Sequence, residues 1–126
     1  MHLPTDRFYL ATHQWLRAAG DDCWQMGITP FAAESLGDIV YVALPEPEVT
    51  VAQGEPLFVV ESVKTASEVT APSRALVLAV NTALRDRPEL LNEAPLEHWI
   101  VYFRAEKPID TALLLSAEQY EALLTQ

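Results

Sequence analysis

Val59 to Pro72 reads VVESVKTASEVTAP, an apolar run that stops at Lys64 and resumes in small and polar residues. The run before the lysine and the β-branched residues after it predict two strands joined at a bend, with the first strand ending at Lys64. The chain holds only two lysines in 126 residues, so this amine is not one of a crowd of solubilising charges. A hairpin tip projects from the body and carries few packing obligations, which leaves such an amine reachable by another enzyme. Schiff-base chemistry would instead need a desolvating pocket, and Thr65, Ala66 and Ser67 are too small to wall one. Lys64 therefore suits a tether better than a nucleophile, although a lysine that merely solvates a loop has the same spacing.

Outward from this bend the pattern stays β. EVTVAQGEPLFVVESV (48–63) predicts two strands parted by a turn at Gly54, with Pro56 confined to a strand start. SEVTAP (67–72) and ALVLAVN (75–81) predict two more. In DIVYVALP (38–45) both alternating sets are apolar, which predicts a central strand covered on both faces. RFYLATHQWLR (7–17) suits an early strand or hairpin arm, AAGDDC (18–23) a turn, and CWQMGIT (23–29) the returning strand. WIVYFRA (99–105) supplies a last strand.

Helices are punctuated clearly. Thr29 and Pro30 offer an N-cap and a preset first helical residue, and Gly37 a stop, so TPFAAESLG (29–37) is a short helix. Asn81 is expected to open a helical segment through TALRDRPELLN (82–92). Ser116 and Gln119 form a capping-box pattern, and Ala117, Tyr120, Leu123 and Leu124 share a face of the helix that follows. Many short strands with peripheral helices predict a mainly β sandwich or barrel, one domain over residues 1–126.

Composition narrows function. Eighteen acidic against eight basic residues give a net charge of −10, which repels phosphate backbones and anionic headgroups, so neither nucleic acid nor a membrane is an expected partner. Cys23 is the sole cysteine, which fits a reducing, cytoplasmic setting and a small buried role. The start MHLPTDRFYL lacks a basic region followed by an apolar run, so no secretory signal is expected. His2, His13 and His98 have no metal-site spacing, and His13 beside Trp15 reads as a hydrogen-bonded structural residue. Trp15, Trp24 and Trp99 read as core. No nucleophile–base pair, phosphate loop or metal cluster is visible, so no catalytic residue is assigned.

The segment ESVKTASE (61–68) resembles the lipoylation segment of the glycine cleavage H-protein family. The likeness extends over THQWLR (12–17), GITPFAAESLGDIVYVALPEPEV (27–49), AVNTAL (79–84), LLNEAP (90–95) and SAEQYEALL (116–124). It implies a barrel-sandwich hybrid of antiparallel sheets, similar to lipoyl and biotinyl domains. It also implies lipoate in amide linkage to Lys64, recognised with Glu61, Ser62, Val63 and Thr65, and a cleft formed with Thr12, Gln14 and Glu68 in which the arm docks. Biotin carriers of the same fold set their lysine between methionines, whereas Val63 and Thr65 flank this one. The implied partners are a lipoate ligase or lipoyl transferase, glycine decarboxylase, aminomethyltransferase and dihydrolipoyl dehydrogenase. The implied role is a carrier that catalyses nothing and hands on an aminomethyl group.

The chain departs from the family at three places. Gln14 stands where the family has glutamate, and an amide supplies no countercharge. Ala75 stands near a turn where the family has glycine, so the turn is expected to be rearranged, and APLEHW (94–99) is one residue shorter than its counterpart. These changes keep a second reading open, an H-like lipoate-binding protein that carries sulfur intermediates for sulfur-oxidation enzymes. An unmodified interaction module is a third, which the intact ESVK segment opposes.

Overall fold

A computed structural model describes residues 2–125. In chain order the strands are β1 (Phe8–Tyr9), β2 (Gln14–Ala18), β3 (Cys23–Ile28), β4 (Ile39–Ala43), β5 (Thr50–Val51), β6 (Pro56–Ser62), β7 (Ala66–Thr70), β8 (Ala75–Val80) and β9 (Val101–Ala105). The helices are α1 (Pro30–Leu36), α2 (Ala83–Asp86), α3 (Leu90–Glu93) and α4 (Ala117–Leu124), with a 3-10 turn at Thr111–Leu113. All pairings are antiparallel. One sheet runs β1-β2-β3-β9-β8-β5 and the other β4-β6-β7, and neither closes into a barrel.

The inner faces of the two sheets meet around Met26, Phe58, Val60, Val77 and Phe103, all buried. A satellite cluster joins Tyr9 and Trp15 to Ala117 and Tyr120 of α4. The capping box sets where α4 begins: Ser116 Oγ accepts from the Gln119 N–H, and Gln119 Oε1 accepts from the Ser116 N–H. Cys23, Trp15 and Trp24 are buried, while Trp99 is half-buried. Ala75 opens β8, buried and outside the left-handed region, so it carries no backbone strain.

Three expectations are corrected. β4 is an edge strand and not a central one: Ile39 and Val42 are buried, but Val40 and Tyr41 face solvent. Its register against β6 shifts between Ile39 and Tyr41, and the extra residue of that bulge breaks the alternation that six apolar residues suggest. The helical stretch expected from Asn81 to Asn92 divides at Pro88, which disfavours helix at Arg87. Asn81 does not cap it, because its side-chain amide donates to the Trp99 carbonyl at 2.8 Å. Finally, β6 ends at Ser62, two residues short of the lysine.

The segment 7–17 is two strands. Phe8 and Tyr9 pair with Leu16 and Trp15, and the chain reverses over Ala11 to His13. The His13 N–H donates to the Leu10 carbonyl at 2.9 Å, and His13 then takes φ 75°, the left-handed position that glycine fills in most three-residue hairpins. A non-glycine residue there costs about 1 kcal/mol, and neighbours hold it. His13 Nδ1 lies 2.7 Å from the Tyr120 hydroxyl, the imidazole packs on Phe31 at 4.3 Å between centroids, and the Thr29 N–H donates to the His13 carbonyl.

Candidate functional site

The hairpin between β6 and β7 places Lys64. Glu61 pairs with Ala66, and the Ser62 N–H donates to the Thr65 carbonyl at 2.7 Å, so Val63 and Lys64 form the two-residue tip. Neither takes positive φ, which rules out the primed turns usual for such loops and suits a β-branched valine. Ser62 supplies the missing closure: its Oγ accepts from the Lys64 N–H at 3.3 Å and from the Thr65 N–H at 3.2 Å. The Val63 N–H donates to the Asp38 carbonyl at 3.0 Å, tying the tip to the turn after α1.

That turn also lies beside the lysine side chain. Gly37 ends α1 at φ 78°, and a Cβ there would lie 3.6 Å from Lys64 Cε. Lys64, Val63 and Thr65 are exposed, and Glu61 and Ser62 are half-buried. No ion pair reaches the Lys64 amine among the described residues. The expected hairpin tip is thus where the structure puts this amine.

Thr12, Gln14 and Glu68 line one cleft of about 490 Å³. Its walls include Leu10, Val69, Ile109 and Leu114. Glu68 lies in β7 four residues past Lys64, at most roughly 13 Å away at the strand rise. A smaller cavity of about 180 Å³ shares Thr12 and Gln14 with the cleft and adds His13, Phe31, Ser35 and Ser67.

Gln14 is buried and its amide is closed on its neighbour. The Thr12 hydroxyl donates to Gln14 Oε1 at 2.5 Å, and Gln14 Nε2 donates to the Thr12 carbonyl at 2.7 Å. This ring fixes the amide orientation, and a carboxylate at position 14 would lose the second bond. The charged groups of the cleft are Glu68, Asp110 and Lys107, two carboxylates against one ammonium. The sequence does not mark Lys107, Asp110 and Ile109 as cleft residues. They sit in an irregular segment with no periodicity, and only the count of two lysines singles out Lys107.

His13 holds the bend that aims Thr12 and Gln14 into the cleft. Burial pushes its imidazole below the ordinary value of 6.5. Thr29 Oγ1 accepts from the Ala32 N–H and lies 2.8 Å from the Tyr120 oxygen, so it can donate there and leave the Tyr120 proton for His13 Nδ1. Burial raises the Tyr120 pKa, which keeps that proton in place. A protonated imidazole has no acceptor to offer. Because the folded pKa is depressed, the stabilisation is complete above pH 6.5 and is lost as pH falls through the lower folded value. Urea midpoints measured from pH 8 to pH 5 are expected to fall more for the native chain than for His13→Gln, and parallel curves would refute this.

Among the described residues no helix is long and apolar enough to cross a membrane. The family model described as glycine cleavage H-protein matches residues 7–126. Relatives named glycine cleavage system H protein include one from Thermus thermophilus, 46% identical over 125 residues, covering 98% of this chain and 97% of the relative. Another, from Syntrophomonas wolfei, is 43% identical over 123 residues and covers 98% and 94%. The crystal structure of a glycine cleavage system H protein from Mycobacterium marinum superposes with a TM-score of 0.87 at 35% identity, covering 98% of this chain and all of that one. That family carries lipoate covalently on a lysine. A matching family model over nearly the whole length, these relatives and the shared two-sheet fold agree, and the chain belongs to the glycine cleavage H-protein family.

Proposed function

We propose that Lys64 is the lipoyl attachment point and that the chain, one domain over residues 1–126, is a non-catalytic carrier of an aminomethyl group in glycine cleavage. The observation that carries this reading is the exposed amine at a two-residue tip pinned by Ser62 and Asp38, with a cleft within reach along the same hairpin. Glu61, Ser62, Val63 and Thr65 present the amine to a lipoate ligase or lipoyl transferase. Bound lipoate supplies a dithiolane that can be opened, loaded and closed again. Glycine decarboxylase, aminomethyltransferase and dihydrolipoyl dehydrogenase then meet the tether in turn, in the cytoplasm, at the high local concentration that a tether provides.

Thr12, Gln14 and Glu68 are the polar side of the docking cleft. Glu68 is exposed, and an exposed carboxylate facing a cation contributes about 0–1 kcal/mol. Shelter therefore relies more on the walls of Leu10, Val69, Ile109 and Leu114, which exclude water. The substitution of Gln14 for glutamate leaves Glu68 and Asp110 as the countercharges. Nothing in the fold or among the relatives favours a sulfur cargo.

The test is reconstitution. Apoprotein acylated by a lipoate ligase and mixed with glycine decarboxylase is expected to support exchange of glycine carboxyl carbon with bicarbonate. A fully lipoylated sample that supports no exchange rules this function out.

A further inference from the structure

Six large apolar side chains are exposed among the described residues, and three of them, Val40 (53%), Tyr41 (52%) and Val63 (70%), meet at one corner. Backbone pairing joins them: Ile39 opposes Ser62, Tyr41 opposes Glu61, and the Val63 N–H donates to the Asp38 carbonyl. Val40 is the extra residue of the β4 bulge. Without the bulge, one of two consecutive residues would point into the core; with it, both point out. Exposed apolar clusters of this kind mark contact surfaces.

We propose that this corner, Val40, Tyr41 and Val63 rimmed by Asp38 and Glu61, is the surface on which the enzyme that acylates Lys64 docks. The inference rests on the reading of Lys64 as the acylated residue. In acylation the reacting atom is Lys64 Nζ itself, so the acylating active site must close over a two-residue tip, and the flanking surface is this corner. The edge does not invite a strand from a second copy at Ile39, because its N–H already donates to Asn92 Oδ1 at 2.9 Å. Side chains are what the corner offers, with Tyr41 as the aromatic anchor and two carboxylates at the rim. That combination fits an apolar pocket bordered by basic groups.

The amide-forming step transfers the lipoyl group from an acyl-adenylate, made from lipoate and ATP, to the amine, with AMP as the leaving group. The C–N bond forms as the bond to the leaving group breaks, and the amine releases its proton.

The test uses apoprotein, a purified lipoate ligase, ATP and lipoate, with incorporation followed by intact mass. Val40→Thr/Tyr41→Thr leaves strand-favouring β-branched side chains at both β4 positions, and Val63→Thr is isosteric at the tip. Both are expected to lower kcat/KM for acylation about tenfold or more with urea midpoints unchanged. Val49→Thr, at an exposed position on the approach to β5, is expected to acylate normally. Native acylation rates in both variants overturn the proposal. A native protein that gains no lipoyl mass overturns the parent reading and this one with it, an outcome distinct from that one.

Discussion

Lys64→Arg is expected to leave a lipoate ligase with nothing to acylate, and glycine–bicarbonate exchange is expected to fall to the level without carrier. Arginine keeps the charge and most of the length of lysine, so it preserves the tip and its surface potential. Its guanidinium does not deprotonate in proteins and so supplies no free amine to attack an activated carboxyl. The side chain is exposed and makes no ion pair among the described residues, so the unfolding free energy measured in urea is expected to stay within about 0.5 kcal/mol of the native chain. Lys107 is the control the sequence provides, since it is the only other lysine. It lines the cleft and does not sit in a hairpin, so Lys107→Arg is expected to retain one full lipoyl increment by intact mass. An increment that survives Lys64→Arg and disappears with Lys107→Arg would move the attachment point into the cleft and sink the carrier mechanism.

What could be read in the sequence was what local chemistry determines. Thr29, Pro30 and Gly37 delimit α1 because cap, preset φ and left-handed stop are properties of single residues. The Ser116–Gln119 box works the same way for α4, and the Lys64 tip follows from strand patterning on either side. The misreadings share a different cause. Alternation across Ile39 to Leu44 carries no mark of a bulge, which depends on how β6 pairs with it. Asn81 has the composition of a cap, but a carbonyl eighteen residues away claims its amide. The Lys107 to Leu114 side of the cleft is an irregular segment ending in the 3-10 turn, and only tertiary packing brings it near Glu68. His13 at positive φ is equally silent, because the residues that hold it come from α1 and α4.

Gly27→Ala is expected to be the most damaging of the glycine-to-alanine changes. Gly27 lies opposite Trp15 in the β2–β3 pair, and the indole folds across it. A Cβ at position 27 would fall 2.6 Å from Trp15 Cε2 and Cζ2 and 2.8 Å from Nε1. Gly27 is not in the left-handed region, so the cost is steric. The indole has nowhere to retreat: it is 1% exposed, its N–H donates to the Pro95 carbonyl at 3.1 Å, and the Arg7 guanidinium sits 4.6 Å from its centroid. Displacing it strains the satellite core and weakens a buried hydrogen bond, together about 3 kcal/mol. The entropy that alanine removes from the unfolded chain offsets only about 0.4–1 kcal/mol of that. For a domain of this size the net loss corresponds to a Tm lower by roughly 10 °C. Trp15 adjoins Gln14, so the shift also reaches the Thr12–Gln14 ring in the cleft. The double change Gly27→Ala/Trp15→Leu separates the cause, because removing the indole removes the clash, and it should cost less than the two single changes added together. Additive losses, or a Gly27→Ala chain as stable as the native one, would show that the indole and the missing methyl do not compete for the same space.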